Sequence, residues 1–249
     1  MVDRYFFPGE LTPDKCIAIS DKEWHQLVHV MRNRVGDTIE IVNGKGVLAI
    51  GKVTALKRDS ALVVIQQLLH IEPAPPPLIL AQGLPRPSRL DFIAEKGTEL
   101  GMTELRLFAA ERSDKKSLST QQQKRVQQLL IAAMKQCERL HLPSVHIDLP
   151  LEERKEWPEG FVLFGDLEEQ AYSFASLWQG KRPEGAITAF IGPESGFSPR
   201  EIVILRQRGA IGVRLHPHIL RTDTAALAFL TLISQWNIGV RPCQSHIAN

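Results

Sequence analysis

The residues best suited to chemistry lie in two short stretches near the end of the chain. Ile191-Gly192-Pro193-Glu194-Ser195-Gly196-Phe197 follows an apolar run and precedes a helix start. Its two glycines permit close approach of the backbone to a ligand. It is neither Gly-x-Gly-x-x-Gly nor Gly-x-x-x-x-Gly-Lys-Ser/Thr, so dinucleotide and P-loop binding lack their motifs, and an ordinary strand-to-helix turn explains it equally well. The second stretch is His216-Pro217-His218-Ile219-Leu220-Arg221-Thr222-Asp223-Thr224-Ala225. Here an apolar Ile219-Leu220 step leads into Arg221 and the capping residue Thr222. An arginine at a strand end, just ahead of a helix N-terminus, makes a site suited to negative charge.

Other chemistry-bearing residues point less clearly. His25 and His29 have the i, i+4 spacing able to hold zinc, but no cysteine or His-Glu-x-x-His glutamate accompanies them, and no metal is expected. Ser195 lacks the Gly-x-Ser-x-Gly elbow of a serine hydrolase. Glu168-Glu169 reads as a solvated loop, with a general-base role as the alternative. Trp24, Trp157, Trp178 and Trp236 read as packing residues rather than base-stacking platforms.

These stretches need a scaffold, and the pattern supplies one. Pro73-Ala74-Pro75-Pro76-Pro77 is an extended linker that divides the chain into residues 1–72 and 73–249. Before it, Arg4–Phe7, Cys16–Ile19, Thr38–Val42, Val47–Ile50 and Ala61–Ile65 read as short strands, with Asn43-Gly44 as a hairpin turn. One helix interrupts them, with Ser20 as cap, Glu23 completing a capping box and Gly36 as the stop. About five short strands and one helix suggest a small barrel. After the linker, runs at 78–81, 105–108, 161–164, 187–191 and 211–215 alternate with helices. These begin at Ser88, at about Ser119 (with Gln122 at the capping-box position), at Ser198 (with Glu201) and at about Asp223, the last reaching Ile238. This is an α/β domain with a largely parallel sheet, whose ligands belong at the carboxyl ends of the strands. The loops to inspect are therefore 82–88, 109–118, 165–171, 192–198 and 216–222.

Composition excludes several classes. The 249 residues are 43% hydrophobic and 23% charged, too apolar for a disordered chain. No apolar run approaches the ~20 residues of a membrane span, and Met1–Glu10 is too short and charged for a secretory leader. Cys16, Cys137 and Cys243 are scattered and odd in number, which fits a reducing cytoplasm better than a disulfide scaffold. The 30 Lys+Arg and 28 Asp+Glu nearly cancel, yet they are unevenly placed. Basic and acidic residues number 9 and 9 over 1–72, 11 and 7 over 73–139, 4 and 10 over 140–199, and 6 and 2 over 200–249. Two basic segments thus flank an acidic one and would make a phosphate-attracting face if they met in space; solvated helix faces are the plainer explanation.

At the two loops the chain closely resembles a known family. Ile191 through Glu201 (IGPESGFSPRE) and Arg214 through Ala225 (RLHPHILRTDTA) look like the C-terminal signature of the bacterial 16S ribosomal RNA uracil-N3 methyltransferases of the SPOUT superfamily. The likeness extends to Arg4-Tyr5-Phe6, His29-Val30-Met31-Arg32, Gly36-Asp37, Asn43-Gly44, Lys96 through Gly101, Glu111-Arg112-Ser113 and Gln136 through Arg139 with Pro143. It covers essentially residues 1–240.

The resemblance implies a PUA-like β-barrel for RNA at 1–72 and a SPOUT-type α/β methyltransferase domain at 73–249 whose C-terminal segment forms a trefoil knot. It also implies a cytoplasmic homodimer that uses S-adenosylmethionine to methylate N3 of a uridine in 16S rRNA of the small ribosomal subunit. On that basis Leu163, Phe164, Ile191, Gly192, Gly196, Leu215, Ile219 and Leu220 are expected to bind the cofactor. Arg221 is expected to stabilise the uracil anion, with Thr222 and Asp223 positioning it; phosphate binding is the alternative role for Arg221. Glu99, Gln136 and Arg139 would organise the uridine pocket across the dimer, and Arg4, His29, Arg32, Arg34 and Arg112 would contact RNA. The chain departs from the family pattern at Ser195, His216, His218 and Asp223, where glycine, glycine, arginine and glutamate are usual. Two alternatives stand beside this reading: a catalytically weak RNA-binding or ribosome-assembly module on the same scaffold, and a knotted methyltransferase acting on another RNA base.

Overall fold

The structure, a computed structural model, describes residues 4–73, 76–177 and 183–235. The chain divides into two compact units, one of Met1–Pro73 with Ile131–Leu142 and one of Ala74–Leu130 with Pro143–Asn249.

In the first unit, strands with one buried face alternate side chains in and out. β1 (Arg4–Phe6), β2 (Cys16–Ser20), β3 (Thr38–Val42), β4 (Val47–Leu56) and β5 (Ser60–His70) form a five-stranded sheet in the order β1-β3-β4-β5-β2. Only the β1–β3 pair is parallel. The edge strands β1 and β2 do not pair with each other, and bulges in β4 at Ile50/Gly51 and Val53/Ala55 bend the ladder. Tyr5, Ile17, Ile19, Ile39, Ile41, Val63 and Ile65 point into one core with Leu27.

Leu27 comes from the single helix α1 (Asp21–His25), which continues through a wide turn over Gln26–Val30 closed by the Met31 N–H on the Gln26 carbonyl at 2.9 Å. The expected capping box at Ser20 and Glu23 is absent. The Glu23 carboxylate is instead taken by Lys135 at 2.7 and 2.9 Å and by the Phe6 N–H at 2.9 Å. A long-range ion pair outcompetes a local cap. The helix also ends near Met31, before Gly36, with Arg32 in the left-handed region at φ 59°.

Sequence pattern leaves Ile131–Leu142 with the larger domain; in the structure it packs with the smaller unit, where Met134 and Leu140 join Val42 and Leu48 in a second core. α3 (Thr120–Gln136) therefore belongs to both units. Its expected cap is present, with the Ser119 N–H on Gln122 Oε1 at 2.9 Å and the Gln122 N–H on Ser119 Oγ at 3.2 Å.

The second unit is a seven-stranded sheet, parallel throughout. Its strands are β6 (Leu78–Gly83), β7 (Glu104–Phe108), β8 (Ser144–Asp148), β9 (Phe161–Gly165), β10 (Tyr172–Ser173), β11 (Ile187–Ile191) and β12 (Ile211–Arg214), in the order β10-β12-β9-β11-β6-β7-β8. β6 and β11 are buried at every residue, as strands covered on both faces must be. α2 (Pro87–Glu99), α4 (Phe174–Leu177), α5 (Pro199–Gln207) and α6 (Thr222–Ser234) complete the unit, and α6 packs on α2, β6 and β11. Trp178, Trp236, Cys243 and the expected end of the last helix at Ile238 lie outside the described residues. No helix among those described is long and apolar enough to cross a membrane.

One buried group gives the small unit a pH dependence. His141 Nε2 is buried with no hydrogen-bond partner among the described residues, and burial, then Arg139 and His70, push its pKa below the ordinary imidazole value. The folded state therefore keeps the ring neutral, while the unfolded chain binds a proton once pH falls below about 6.5. Stability of this unit should fall as pH drops from 7 to 5, read as the urea midpoint of Trp24 fluorescence, and His141→Gln should flatten that slope.

Candidate active site

Three adjacent strands, β12, β9 and β11, deliver their carboxyl ends to one place, and the loops that follow them enclose a cavity of about 500 Å³. One wall is Gly165 to Glu168, the second Ile191 to Phe197, and the third Val213, Leu215, His216, His218, Ile219, Leu220, Thr222 and Ala225, with Arg112 at the rim. The volume falls within the ~300–1,000 Å³ of small-molecule pockets. Of the five loops singled out in sequence, three supply the walls and 109–118 supplies Arg112; residues 82–88 do not line it.

The second wall is fixed by local and distant bonds together. Ser198 and Glu201 form the expected capping box at the start of α5, with bonds of 2.8 and 3.2 Å, and Glu201 also accepts the Glu111 N–H at 3.0 Å. Gly196 has φ +70°, which glycine adopts without strain. At Gly192 a Cβ would lie 2.9 Å from the Phe197 nitrogen, so only glycine allows the loop to fold back this tightly.

Thr222 is buried at the base of the third wall. Its hydroxyl donates to the Gly192 carbonyl at 2.6 Å and accepts from Gln82 Nε2 at 2.9 Å. Gln82 also donates to the carbonyls of Gly83, at 2.9 Å, and Gly192, at 3.1 Å. Sequence reading missed Gln82, although a lone amide closing the apolar run Leu78-Ile79-Leu80-Ala81 is a visible signal.

The electrostatics of the lining are mainly acidic. Asp166, Glu168 and Glu194 contribute carboxylates against the single guanidinium of Arg112, whose Nη1 donates to the Phe197 carbonyl at 3.2 Å. Arg206 bonds Asp166 at 2.8 Å and Glu168 at 2.7 Å, and these two partners raise the Arg206 pKa. His216 Nδ1 accepts the His218 N–H at 3.1 Å. Leu167 and Ile219 are 64% and 81% exposed, an apolar pair among the lining residues that solvent can reach.

Six of the eight residues expected at the cofactor line the cavity: Ile191, Gly192, Gly196, Leu215, Ile219 and Leu220. Leu163 and Phe164 do not. β9 is an interior strand, so both side chains are fully buried, and Phe164 packs edge-on to Phe197 at 6.4 Å from inside the core. The same strand reaches the cavity one residue later, at Gly165.

Arg221 is exposed at the N-cap of α6, between the lining residues Leu220 and Thr222. Thr222 and Asp223 bond Gly192 and Arg89 rather than the Arg221 side chain, so they fix its backbone and not its guanidinium. Asp223 meets Arg89 Nη1 at 2.6 Å, and Arg89 Nε lies 3.4 Å from Glu194 Oε1.

The residues expected at RNA are dispersed. Arg112 is at the cavity rim, while Lys96 pairs with both Glu95 and Glu99, which together raise the lysine pKa. In the first unit Arg4 is held by Glu40 at 2.7 Å with its side chain 13% exposed, a structural ion pair rather than a free contact. His29 packs edge-on to Trp24 at 5.0 Å; Arg32 and Arg34 are exposed beside it in sequence. Gln136 is exposed at the end of α3 and Arg139 is half-buried. Among the described residues no group of three His, Cys, Asp or Glu side chains could hold a metal.

A parallel α/β domain whose ligand pocket is framed by a Gly-Pro-Glu-Ser-Gly loop and a second loop running into a helix, joined to a small mostly antiparallel sheet unit, defines a two-part, small-molecule-binding class. Residues 72–234 match the profile of the RNA methyltransferase domain, and residues 19–66 that of the RNA methyltransferase PUA domain. The chain belongs to the RNA methyltransferase family. It is 28% identical over 250 residues to the ribosomal RNA small subunit methyltransferase E of Bacillus subtilis, covering 94% of this chain and 96% of that one. The protein of the same name in Mycobacterium bovis is 27% identical over 260 residues, covering 98% and 97%. The crystal structure of the Neisseria gonorrhoeae enzyme of that name, bound to S-adenosyl methionine, superposes with a TM-score of 0.84 at 27% identity, covering 94% of this chain and 98% of that one.

The hydroxyl at the base of the third wall gives a direct test. Thr222→Val keeps the shape but removes the shorter of the two donors to the buried Gly192 carbonyl and an acceptor for Gln82, and should cost about 1–3 kcal/mol of stability by urea denaturation.

Proposed function

We propose that the chain transfers a methyl group from S-adenosylmethionine to N3 of a uridine in the 16S rRNA of the small ribosomal subunit. One observation carries this reading: the cavity at the ends of β9, β11 and β12 has the volume and mixed apolar and polar lining of a small-molecule pocket, in a chain of the RNA methyltransferase family. Gly192 and Gly196 leave backbone open to a ligand, Ile191, Leu215 and Leu220 offer apolar surface to a purine, and the carboxylates of Asp166, Glu168 and Glu194 lie among the lining residues, paired with Arg206 and Arg89 outside it.

When bound, S-adenosylmethionine supplies an electrophilic methyl carried on a sulfonium. Uracil N3 bears a proton at neutral pH and loses it before or during attack. As the N–CH3 bond forms, the S–CH3 bond breaks and a neutral thioether leaves. The anion of the deprotonated base spreads over N3, O2 and O4, and Arg221 is the cation assigned to stabilise it. Thr222 and Asp223 hold that arginine by anchoring the first turn of α6 to Gly192 and Arg89. Arg112, at the rim, is placed to meet RNA phosphate.

The remaining assignments complete the reading. Residues 1–72 form a PUA-like RNA-binding domain and 73–249 a SPOUT methyltransferase domain. A trefoil knot in the C-terminal segment is part of the same reading; the 192–197 loop and residues of the 215–222 segment line one cavity, and α6 packs on β6 and β11. The enzyme is a cytoplasmic homodimer in which Glu99, Gln136 and Arg139 organise the uridine pocket, with Arg32, Arg34 and His29 on the RNA.

Arg221→Ala should lower turnover on purified small subunits about 10²–10³-fold, the range for losing a transition-state donor, with S-adenosylmethionine affinity unchanged. The readout is 3-methyluridine by mass spectrometry alongside calorimetric titration; a fully active variant removes Arg221 from the chemistry. Donor binding by the wild-type chain without any product would favour an RNA-binding module on this scaffold.

A further inference from the structure

Arg89 lies outside the cavity, yet it joins two of the three segments that build it. It stands in the first turn of α2, and its guanidinium reaches Asp223 Oδ1 on the first turn of α6 at 2.6 Å and Glu194 Oε1 on the 192–197 loop at 3.4 Å. The same Glu194 oxygen accepts the Arg86 N–H, at the N-cap of α2, at 3.0 Å. All three charged side chains are only 18–25% exposed, so the ion pairs are screened far less than surface pairs.

We propose that Arg89 is a positioning residue for the methyl-donor pocket, holding the Glu194 loop and the start of α6 at the spacing that the donor requires. The inference rests on the donor reading given above. Its physical basis is charge balance. Glu194 accepts the N–H at the start of α2 and Asp223 lies in the first turn of α6, so each also meets the positive end of a helix. Without Arg89 the two carboxylates are left near one another with no cation between them, and like charges so placed repel.

The two sides differ in how they can respond. Asp223 is built into α6, which is packed on α2, β6 and β11 and anchored by the buried Thr222. Glu194 is on a loop, and it is the member of the pair that lines the cavity. Relief of the repulsion therefore moves the loop wall, and donor affinity falls before global stability does.

The test measures S-adenosylmethionine binding to the full chain by calorimetric titration, with the thermal midpoint measured in parallel. Arg89→Met should raise Kd about tenfold or more, the loss expected for a charge-assisted contact, while the midpoint shifts by no more than about 3 °C. Arg89→Lys, which keeps the cation but not the fork, should recover part of the affinity. On small subunits, KM for the donor should rise while kcat at saturating donor stays within about threefold, a split that marks lost ground-state positioning.

Wild-type Kd in Arg89→Met overturns the proposal, as does equal weakening by Met and Lys together with a large fall in the thermal midpoint, which marks a packing role. Should Arg89→Met fail to fold, Arg89→Gln, which keeps a hydrogen-bond donor without the charge, is measured in its place; a raised Kd supports the proposal and an unchanged Kd overturns it. A wild-type chain that binds no S-adenosylmethionine sinks the donor reading and this inference together, whereas wild-type binding with an indifferent Arg89→Met sinks only the latter.

Discussion

The site depends on how one backbone carbonyl, that of Gly192, is held. The Thr222 hydroxyl donates to it at 2.6 Å and the Gln82 amide at 3.1 Å, all in a setting closed to water. These three residues come from the ends of β6 and β11 and from the start of α6, separated by 110 and 30 positions along the chain. A buried carbonyl without a donor costs more than the bond itself contributes, so the arrangement is all or none. Once it forms, the loop after β11 and the segment after β12 face each other across a fixed gap, and that gap is the cavity.

The parallel sheet explains why the gap lies where it does. β6 and β11 are buried along their whole length, leaving no free face for a ligand. Function is displaced to the strand ends, where backbone groups leave the ladder and helices α5 and α6 begin. Glycine at 192 serves the same geometry, because any side chain would strike the returning loop at Phe197.

Features set by neighbours in sequence were legible before the fold was known. The Ser198–Glu201 and Ser119–Gln122 caps, the Asn43-Gly44 turn and the alternation of strands with helices all appear as read. Features set by distant partners were not. Glu23 has the right spacing for a cap, but Lys135, 112 positions away, takes its carboxylate. β8 escapes a search for apolar runs because it is an edge strand, with Ser144, His146 and Asp148 alternating with Val145 and Ile147. Leu163 and Phe164 are expected at the cofactor from the family resemblance; both are buried in an interior strand and do not line the cavity. Arg89 was invisible as well, since a charged residue in the first turn of a helix is ordinary until its two carboxylates arrive from residues 194 and 223.

The distribution of charge can now be tied to particular walls. The acidic segment of residues 140–199, with 10 acidic and 4 basic side chains, is the one that supplies Asp166, Glu168 and Glu194 to the cavity. The more basic segments on either side supply Arg112 at the rim, Arg89 behind the wall and Arg221 at the head of α6. A cationic methyl donor and a polyanionic RNA make opposite demands on one surface. Carboxylates among the lining residues, with arginines at the rim and behind the walls, are compatible with both demands. A near-zero net charge is then what this division produces, and it says nothing against an RNA partner. Residues 1–72, with 9 basic and 9 acidic side chains, have fewer free cations than their sequence suggests, since Arg4 is committed to Glu40. The stretch His29 to Arg34 keeps Arg32 and Arg34 exposed, where the helix unwinds through its wide turn and Arg32 takes a left-handed backbone.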